Sequence, residues 1–461
     1  MIVMKFGGTS VQDAQAIDRV AAIVRDRLPE NPVVVVSAVA RMTDQLLAMA
    51  RAAGAGDREK ALELSLAARE RHFNTASDLL GTGRFAQIHS ELEEDFNVLD
   101  DLLRGIVAVG ELTPRTIDNI AGFGERVSSK IVTAAFSMRG INASHVDSRQ
   151  CIITDSSFTK AVPQFEETNA RLVEVVKPLL DHLRVPVMGG FIGATPEGIS
   201  TTIGRGGSDF TAAIVGAGLD AQRIEIWTDV DGMMTTDPNL CPQARRIKTI
   251  TFEEAAELAY FGAKVLHPAT LLPAIQKNIP VLVLNSQNPK NEGTRITGRA
   301  PKSKNIFKAI AAKKRITIVD VVATRMLMAH GYLRSIFEVF DRHKCPVDMV
   351  STSEVSVSLT VDSNESIPAI AADLKQLADV KYEGRKAIVC LVGENIRGTP
   401  GIAAKVFGAI PDMNVRMISQ GASEINISFV IEEDDVPKAV ESLHRAFFSD
   451  PDPGIFGEAA K

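Results

Sequence analysis

Four valines in a row, Val33-Val34-Val35-Val36, leave no polar face on the strand they form. Successive strand side chains point to opposite sides of a sheet, so such a strand must be covered above and below. A parallel sheet with helices on both faces meets that demand. The neighbouring sequence agrees: residues 11–28 carry Ile17, Val20, Ala21, Val24 and Leu28 on one helical face. Similar β-rich runs return at Val185-Pro186-Val187-Met188, at Ile224-Glu225-Ile226-Trp227 and at Val281-Leu282-Val283-Leu284. The first three hundred residues therefore predict an α/β fold. Residues from about 44 to 117 read instead as a strand-free helical excursion, with Leu92, Phe96, Leu99, Leu103 and Ile106 at helical spacing.

A chain of 461 residues exceeds one hydrophobic core and predicts two to four domains. Pro289 to Lys304 is polar, with Pro, Gly and Lys, and marks a boundary. Beyond it the tail repeats itself without a gap at an offset of 70 residues. Ile318-Val319 meets Ile388-Val389, Gly331 meets Gly401, Phe337 meets Phe407, and Ser353-Glu354 meets Ser423-Glu424. Val355, Val357 and Leu359 meet Ile425, Ile427 and Phe429. Each copy reads strand, Gly-containing turn, amphipathic helix, strand, strand, helix, which predicts two small α+β modules. The alternation through Val355 to Leu359 predicts a strand with one buried face in an antiparallel sheet.

The net charge of −6 argues against general nucleic-acid or membrane-surface binding. No apolar run reaches the roughly 18 residues that span a bilayer, and the N-terminus is strand-like rather than signal-like. Cys151, Cys241, Cys345 and Cys390 are scattered without a CxxC pair. They are expected to be reduced and buried in a cytoplasmic protein, with neither a disulfide nor a metal role.

Four glycine-rich junctions follow strand-like runs: Lys5 to Ser10, Met188 to Phe191, Ile203 to Asp209, and Thr228 to Gly232. Each is expected to stand where a strand ends and a helix begins, the edge at which open α/β sheets bind ligands. Glycine lets backbone N–H groups approach a phosphate, and a helix N-terminus adds partial positive charge. Lys5 precedes its glycine pair, the reverse of a P-loop, whose lysine comes last. Lys264 supplies a second ammonium, and two lysines suit the charge on a transferring phosphoryl group. Asp209, Asp229 and Asp237 are candidates to organise Mg²⁺ or the lysines, and any one of them alone also reads as a helix cap. Arg205 suits bidentate contact with a carboxylate. Glu125, at a predicted helix start, suits an ammonium, or equally serves as a first-turn acid against the helix dipole. An arginine and a glutamate together would suit an α-amino acid.

These motifs, in this order, resemble the aspartokinases of the amino-acid kinase family. The resemblance covers essentially the whole chain: KFGGTSV, SAVARMTDQLL from Ser37 to Leu47, GFGERVSSKI from Gly122 to Ile131, GGFIGATPEG, TTIGRGGSDFTAA, WTDVDGMMTTDP, FGAKVLHPA, and tail repeats similar to ACT domains. It implies a three-layer αβα kinase domain over residues 1–300 and ACT-like, ferredoxin-like modules over 312–382 and 383–461. It implies that Lys5, Gly7, Gly8, Thr228, Asp229, Asp237 and Lys264 serve ATP and Mg²⁺. Thr43, Glu125, Arg205 and Ser208 would hold L-aspartate, with Lys5 and Asp209 catalytic. The family reaction moves the γ-phosphoryl of MgATP to the β-carboxylate of L-aspartate and opens the pathway to lysine, threonine and methionine. Such an acceptor, with a pKa of about 3.9, is ionised at pH 7 and needs no general base, so His267 reads as structural. Three positions depart from the family pattern: Met234 replaces a tyrosine, Asn239 an arginine and Asp44 an asparagine. The first two bear on nucleotide binding.

The tail resembles the lysine-inhibited members of the family. That implies an L-lysine effector site from Met326, Gly331, Tyr332, Leu333, Asp348, Ser353, Glu354 and Val355, lying between ACT modules of a homodimer or dimer of dimers. Asp348 would face the effector ammonium; a solvated turn acid is its plain alternative. Two rival functions remain: a kinase of this fold acting on another acceptor such as glutamate or carbamate, and an amino-acid-sensing subunit without catalysis. The second would be expected to have lost Lys5, Arg205 or Asp209, and all three are present.

Overall fold

The computed structural model describes residues 1–204, 206–262, 268–322 and 330–459, the side chains of residues 82, 84 and 268 excepted. Two compact units emerge: residues 1–232, 249–252 and 266–300 form the first, and residues 233–248, 253–265 and 301–461 the second.

The first unit is built on an eight-stranded sheet in the order β3-β4-β2-β1-β7-β10-β11-β9. Its strands are β1 (Ile2–Phe6), β2 (Pro32–Val36), β3 (Ala143–Val146), β4 (Val185–Gly189), β7 (Ile224–Thr228), β9 (Thr249–Thr251), β10 (Val281–Asn285) and β11 (Thr294–Thr297). The first six in spatial order run parallel, and β11 turns back antiparallel to β10. The valine run is β2, buried along its whole length at the middle of the sheet. Ile2, Met4 and Phe6 face one core, shared with α1 (Ala14–Arg27), α2 (Met42–Gly54), α3 (Arg58–Val109) and α5 (Phe123–Met138). By strand alternation Val3 and Lys5 face the other side, where α8 (Gly207–Gly218) packs. The result is three layers.

The helical excursion holds: α2, α3 and α4 (Pro114–Ala121) contain no strand, and α3 is two helices meeting at Gly81. A hairpin of β5 (Ile192–Ala194) and β6 (Ser200–Thr202), with α6 (Phe165–Val175), α7 (Lys177–Asp181) and α10 (Leu272–Gln276), completes the unit. Two details differ from expectation. Only the first and third glycine junctions run into helical turns, because Met188 to Phe191 feeds β5 and Thr228 to Gly232 is followed by no helix. The polar stretch 289–304 is not all linker, since Thr294 and Ile296 bury their side chains as β11.

The second unit carries a six-stranded antiparallel sheet, β13-β14-β12-β15-β17-β16. Its strands are β12 (Phe307–Val322), β13 (Val347–Thr352), β14 (Ser356–Asp362), β15 (Asp379–Gly393), β16 (Met417–Gln420) and β17 (Asn426–Glu432). Helices α11 (Tyr332–Arg342), α12 (Ile367–Leu374), α13 (Ile402–Gly408) and α14 (Val436–Phe448) complete the strand–helix order read from the repeat. Gly331 and Gly401, 70 residues apart, are both left-handed N-caps, of α11 and α13. Arg315 and Arg385, also 70 apart, both take positive φ in the middle of the two long strands. There the register of β12 against β15 slips. Ile316–Val322 pairs with β14, whereas Phe307–Lys313 pairs with the half of β15 that also pairs with β17. The second module's sheet thus begins before the first module, and the bounds 383–461 omit its Phe307–Lys313 strand.

Residues of the first three hundred also join this unit. The Ile310 N–H donates to the Thr235 carbonyl (2.7 Å), and β8 (Arg245–Ile247) pairs with β18 (Phe456–Ala459). On α9 (Phe252–Tyr260), Glu254 forms a fully buried 2.8 Å ion pair with Lys308, and Glu257 accepts from Asn426 at 2.7 Å. All four cysteines are free and buried. Among the described residues no helix is long and apolar enough to cross a membrane.

Candidate active site

Lys5 lies near the end of β1, and its ammonium is 2.6 Å from the Asp209 carboxylate in the first turn of α8. Both line a cavity of about 370 Å³ with Gly8, Thr43, Glu125 and Ser208. The cavity stands at the carboxyl ends of the central strands, as the sheet topology requires. Thr43, Glu125 and Ser208 each sit in the first turn of a helix (α2, α5 and α8), so three helix N-termini bring partial positive charge to one space. Gly8 makes the close packing feasible: a Cβ there would lie 2.9 Å from the Ala38 carbonyl oxygen. Its own carbonyl accepts from the Ala40 N–H at 3.2 Å.

Glu125 is buried, and its Oε2 has no hydrogen-bond partner. Burial pushes its carboxyl up to about 7, against the Ala38 N–H and the charge of Lys5, which pull it down. A buried carboxylate oxygen lacking a donor at the wall of a cavity is a receptor for one.

The nucleotide candidates are arranged differently. The Gly7 N–H donates to the Trp227 carbonyl (3.0 Å), bringing the first junction beside the end of β7. Thr228 and Asp229 follow there, the threonine hydroxyl donating to the Asp229 carboxylate at 3.2 Å. Asp237 belongs to the second unit, and its carboxylate accepts from the backbone and side-chain amides of Asn239, at 2.9 and 3.0 Å. The residue in place of the family's usual arginine thus closes a local turn on that aspartate. Arg205, Lys264 and His267 lie outside the described residues. Among the described residues no three His, Cys, Asp or Glu side chains converge as a metal site.

In the second unit, Gly331 caps α11, Tyr332 donates to the Leu377 carbonyl (3.2 Å), and Leu333, Glu354 and Val355 are exposed. Ser353 accepts from the Ser356 N–H at 3.1 Å within its turn, and Met326 lies outside the described residues. Asp348 is no solvated turn acid. Its side chain is 4% exposed on β13, receiving Lys313 at 2.8 and 2.9 Å and the Tyr260 hydroxyl at 2.9 Å. Burial pulls the Lys313 ammonium down, but Asp348 and Asp362 outweigh it and leave its pKa raised. Neither partner was visible in the sequence, because Tyr260 is 88 positions away.

The amino acid kinase family profile matches residues 1–285, and an ACT domain profile matches residues 389–447. Aspartokinase 1 of Arabidopsis thaliana, a chloroplastic protein, is 38% identical over 98% of this chain and 80% of its own. Lysine-sensitive aspartokinase 3 of Escherichia coli K12 is 35% identical over 97% of this chain and 99% of its own. Among solved structures, E. coli aspartokinase III with aspartate and ADP (R-state) superposes with a TM-score of 0.84 at 34% identity, covering 97% of this chain and 100% of that one. Its complex with lysine and aspartate (T-state) gives 0.83, at 34% identity and coverage of 97% and 99%. The chain belongs to the aspartokinases of the amino acid kinase family, kinases that transfer phosphate from ATP to aspartate.

Proposed function

We propose that the cavity is where aspartate meets the terminal phosphate of MgATP, and that Glu125 grips the α-ammonium of the amino acid. The unpartnered, buried Oε2 of Glu125 carries this reading, since a substrate ammonium supplies the donor it lacks. Ser208 and the N-terminus of α8 face the acceptor end, with Thr43 opposite. The β-carboxylate of aspartate attacks already ionised, so positioning and charge neutralisation supply the rate. An ammonium has three N–H donors. Lys5 is ion-paired with Asp209 at 2.6 Å, and its N–H donors can meet phosphoryl oxygens as charge develops on them. Gly7, Gly8, Thr228 and Asp229 accompany the nucleotide, with Lys264 and Asp237 further candidates. Mg²⁺ would enter with the nucleotide, with Asp209 and Asp229 as the first-unit carboxylates that would help hold it, and would supply neutralisation of phosphate charge. Arg205 takes a carboxylate of the substrate.

The kinase domain is read as residues 1–300 and the regulatory modules as 312–382 and 383–461, the second borrowing Phe307–Lys313. The likeness to a lysine-sensitive relative and to a lysine-bound T-state supports lysine feedback at the first module, with Asp348 facing the effector ammonium. Exposed Leu333, Phe337, Val350 and Val355 support a homodimer through that module. Four free cysteines suit a reducing, cytoplasmic setting.

A coupled ADP-release assay tests the whole reading, with aspartate, glutamate or no acceptor and with lysine or threonine added. ADP release with aspartate alone, suppressed by lysine, is the expected result. Equal rates with glutamate would overturn the acceptor assignment, and indifference to lysine would overturn the effector.

A further inference from the structure

We propose that Asp118 is a positioning residue for the acceptor site, holding in place the strand end that leads into the helix carrying Ser208. This rests on the reading of the cavity as the aspartate site. Asp118 sits on α4, is 1% exposed, and does not line the cavity. Its Oδ2 accepts the backbone N–H groups of Thr159 (2.9 Å) and Thr202 (3.0 Å), and its Oδ1 accepts the Thr202 hydroxyl (2.5 Å). Three donors on one buried carboxylate join segments separated by 41 and 84 positions in the chain.

Both segments lead to the cavity. Thr202 ends β6, and Gly204, Gly206, Gly207, Ser208 and Asp209, which follow it, line the wall. Thr159 takes φ of +71°, an outlier for a β-branched residue. Such a conformation persists only where its surroundings over-determine it, and clusters at functional sites. Here the strained turn abuts the loop: a Cβ on Gly204 would lie 3.7 Å from the Thr159 carbonyl oxygen. The Ala161 N–H also donates to the Thr202 carbonyl at 3.0 Å. On its other side, the Asp118 backbone carbonyl accepts from the Gly122 N–H (3.0 Å), immediately before the helix that presents Glu125. The Asp118 carboxylate therefore ties Thr159 and Thr202 to α4, which runs directly into the helix that presents Glu125.

Asparagine can reproduce this pattern. Its carbonyl oxygen accepts both N–H groups, and its amide donates to the Thr202 hydroxyl, which also accepts. Alanine leaves the buried Thr202 N–H and the part-buried Thr159 N–H without this acceptor. The test is steady-state kinetics and thermal melting of the full chain carrying Asp118→Ala, Asp118→Asn and Thr202→Val, with Glu125→Gln and Ser208→Ala as site controls. We expect Asp118→Ala to raise the aspartate KM at least tenfold with the ATP KM within twofold of wild type. Asp118→Asn should stay within threefold for both substrates, and Thr202→Val should raise the aspartate KM alone. Should Asp118→Ala fail to fold, Thr202→Val and Asp118→Asn decide the matter. The positioning role is overturned by equal losses for both substrates, by an Asn variant as impaired as Ala, or by a wild-type Thr202→Val. If the two site controls leave the aspartate KM unchanged, it is the acceptor site itself that is misassigned.

Discussion

A carboxyl group sealed away from water resists ionisation unless a cation comes to it, and Glu125 is in that position. With its pKa raised to about 7, Glu125 is largely protonated in the empty enzyme below neutral pH. An ammonium substrate must find it ionised, so kcat/KM for aspartate should fall as pH drops below about 7, up to tenfold per unit. Glu125→Gln should flatten that limb of the profile. The same shift has a stability consequence. Between the ordinary 4.5 and about 7 the folded chain keeps a proton that the unfolded chain has lost, so this group's contribution to stability declines as pH rises through that window. Glu125→Gln should therefore melt above wild type at pH 8, by a margin on the order of 3 kcal/mol that vanishes toward pH 4.5. Lys5→Ala should lower kcat by roughly 10²-fold or more while the protein stays folded; near-normal turnover would remove Lys5 from the reaction. Lys5 was readable because a lysine before a glycine pair has chemical meaning within six residues. Glu125 was ambiguous and Asp118 invisible, because burial and distant donors decide what those carboxylates do.

At the scale of elements, hydrophobic period was an adequate guide. Four of the six parallel strands (β2, β4, β7 and β10) and the strand-free helices at 42–121 stand where their patterns put them, since a side chain's facing is set by its own strand or helix. What period does not encode is which element a segment packs against. The segment holding α9 reads as part of the kinase sequence, yet its Glu254 is closed onto Lys308 with both side chains at most 3% exposed. Removing Lys308 takes the buried Glu254 carboxylate's counter-ion away, so Lys308→Met should be destabilising in a denaturant melt, by about 3 kcal/mol. The double variant Lys308→Met with Glu254→Leu should recover most of it. The capping glycines offer a second check. Gly331 and Gly401 sit at φ of +80° and +73° with nothing within 4 Å of an added Cβ, so alanine at either should cost about 1–2 kcal/mol through backbone strain alone.

For the molecule as a whole, the regulatory reading turns on Asp348, whose carboxylate is already engaged by an ammonium of its own chain. On that reading an effector's amino group would have to displace Lys313 or share its place, and inhibition would be a competition between an internal and an external lysine. Asp348→Ala should raise the lysine concentration for half-inhibition at least tenfold, with uninhibited turnover little altered. Unchanged inhibition would move the effector elsewhere. The sheet makes a separate demand: residues 385–461 alone lack the Phe307–Lys313 strand and should not fold, whereas restoring that strand through a linker should rescue a cooperative melt. The 70-residue repeat announced two copies but hid their interleaving, because sequence similarity follows the order of the chain and hydrogen bonding does not. With β12 and β15 each woven through both halves, neither half is a free-standing part that recombination could trade alone. A crossover between related genes near residue 315 or 385 would sever a ribbon that both copies need, so compatible exchanges must carry the pair as a single cassette.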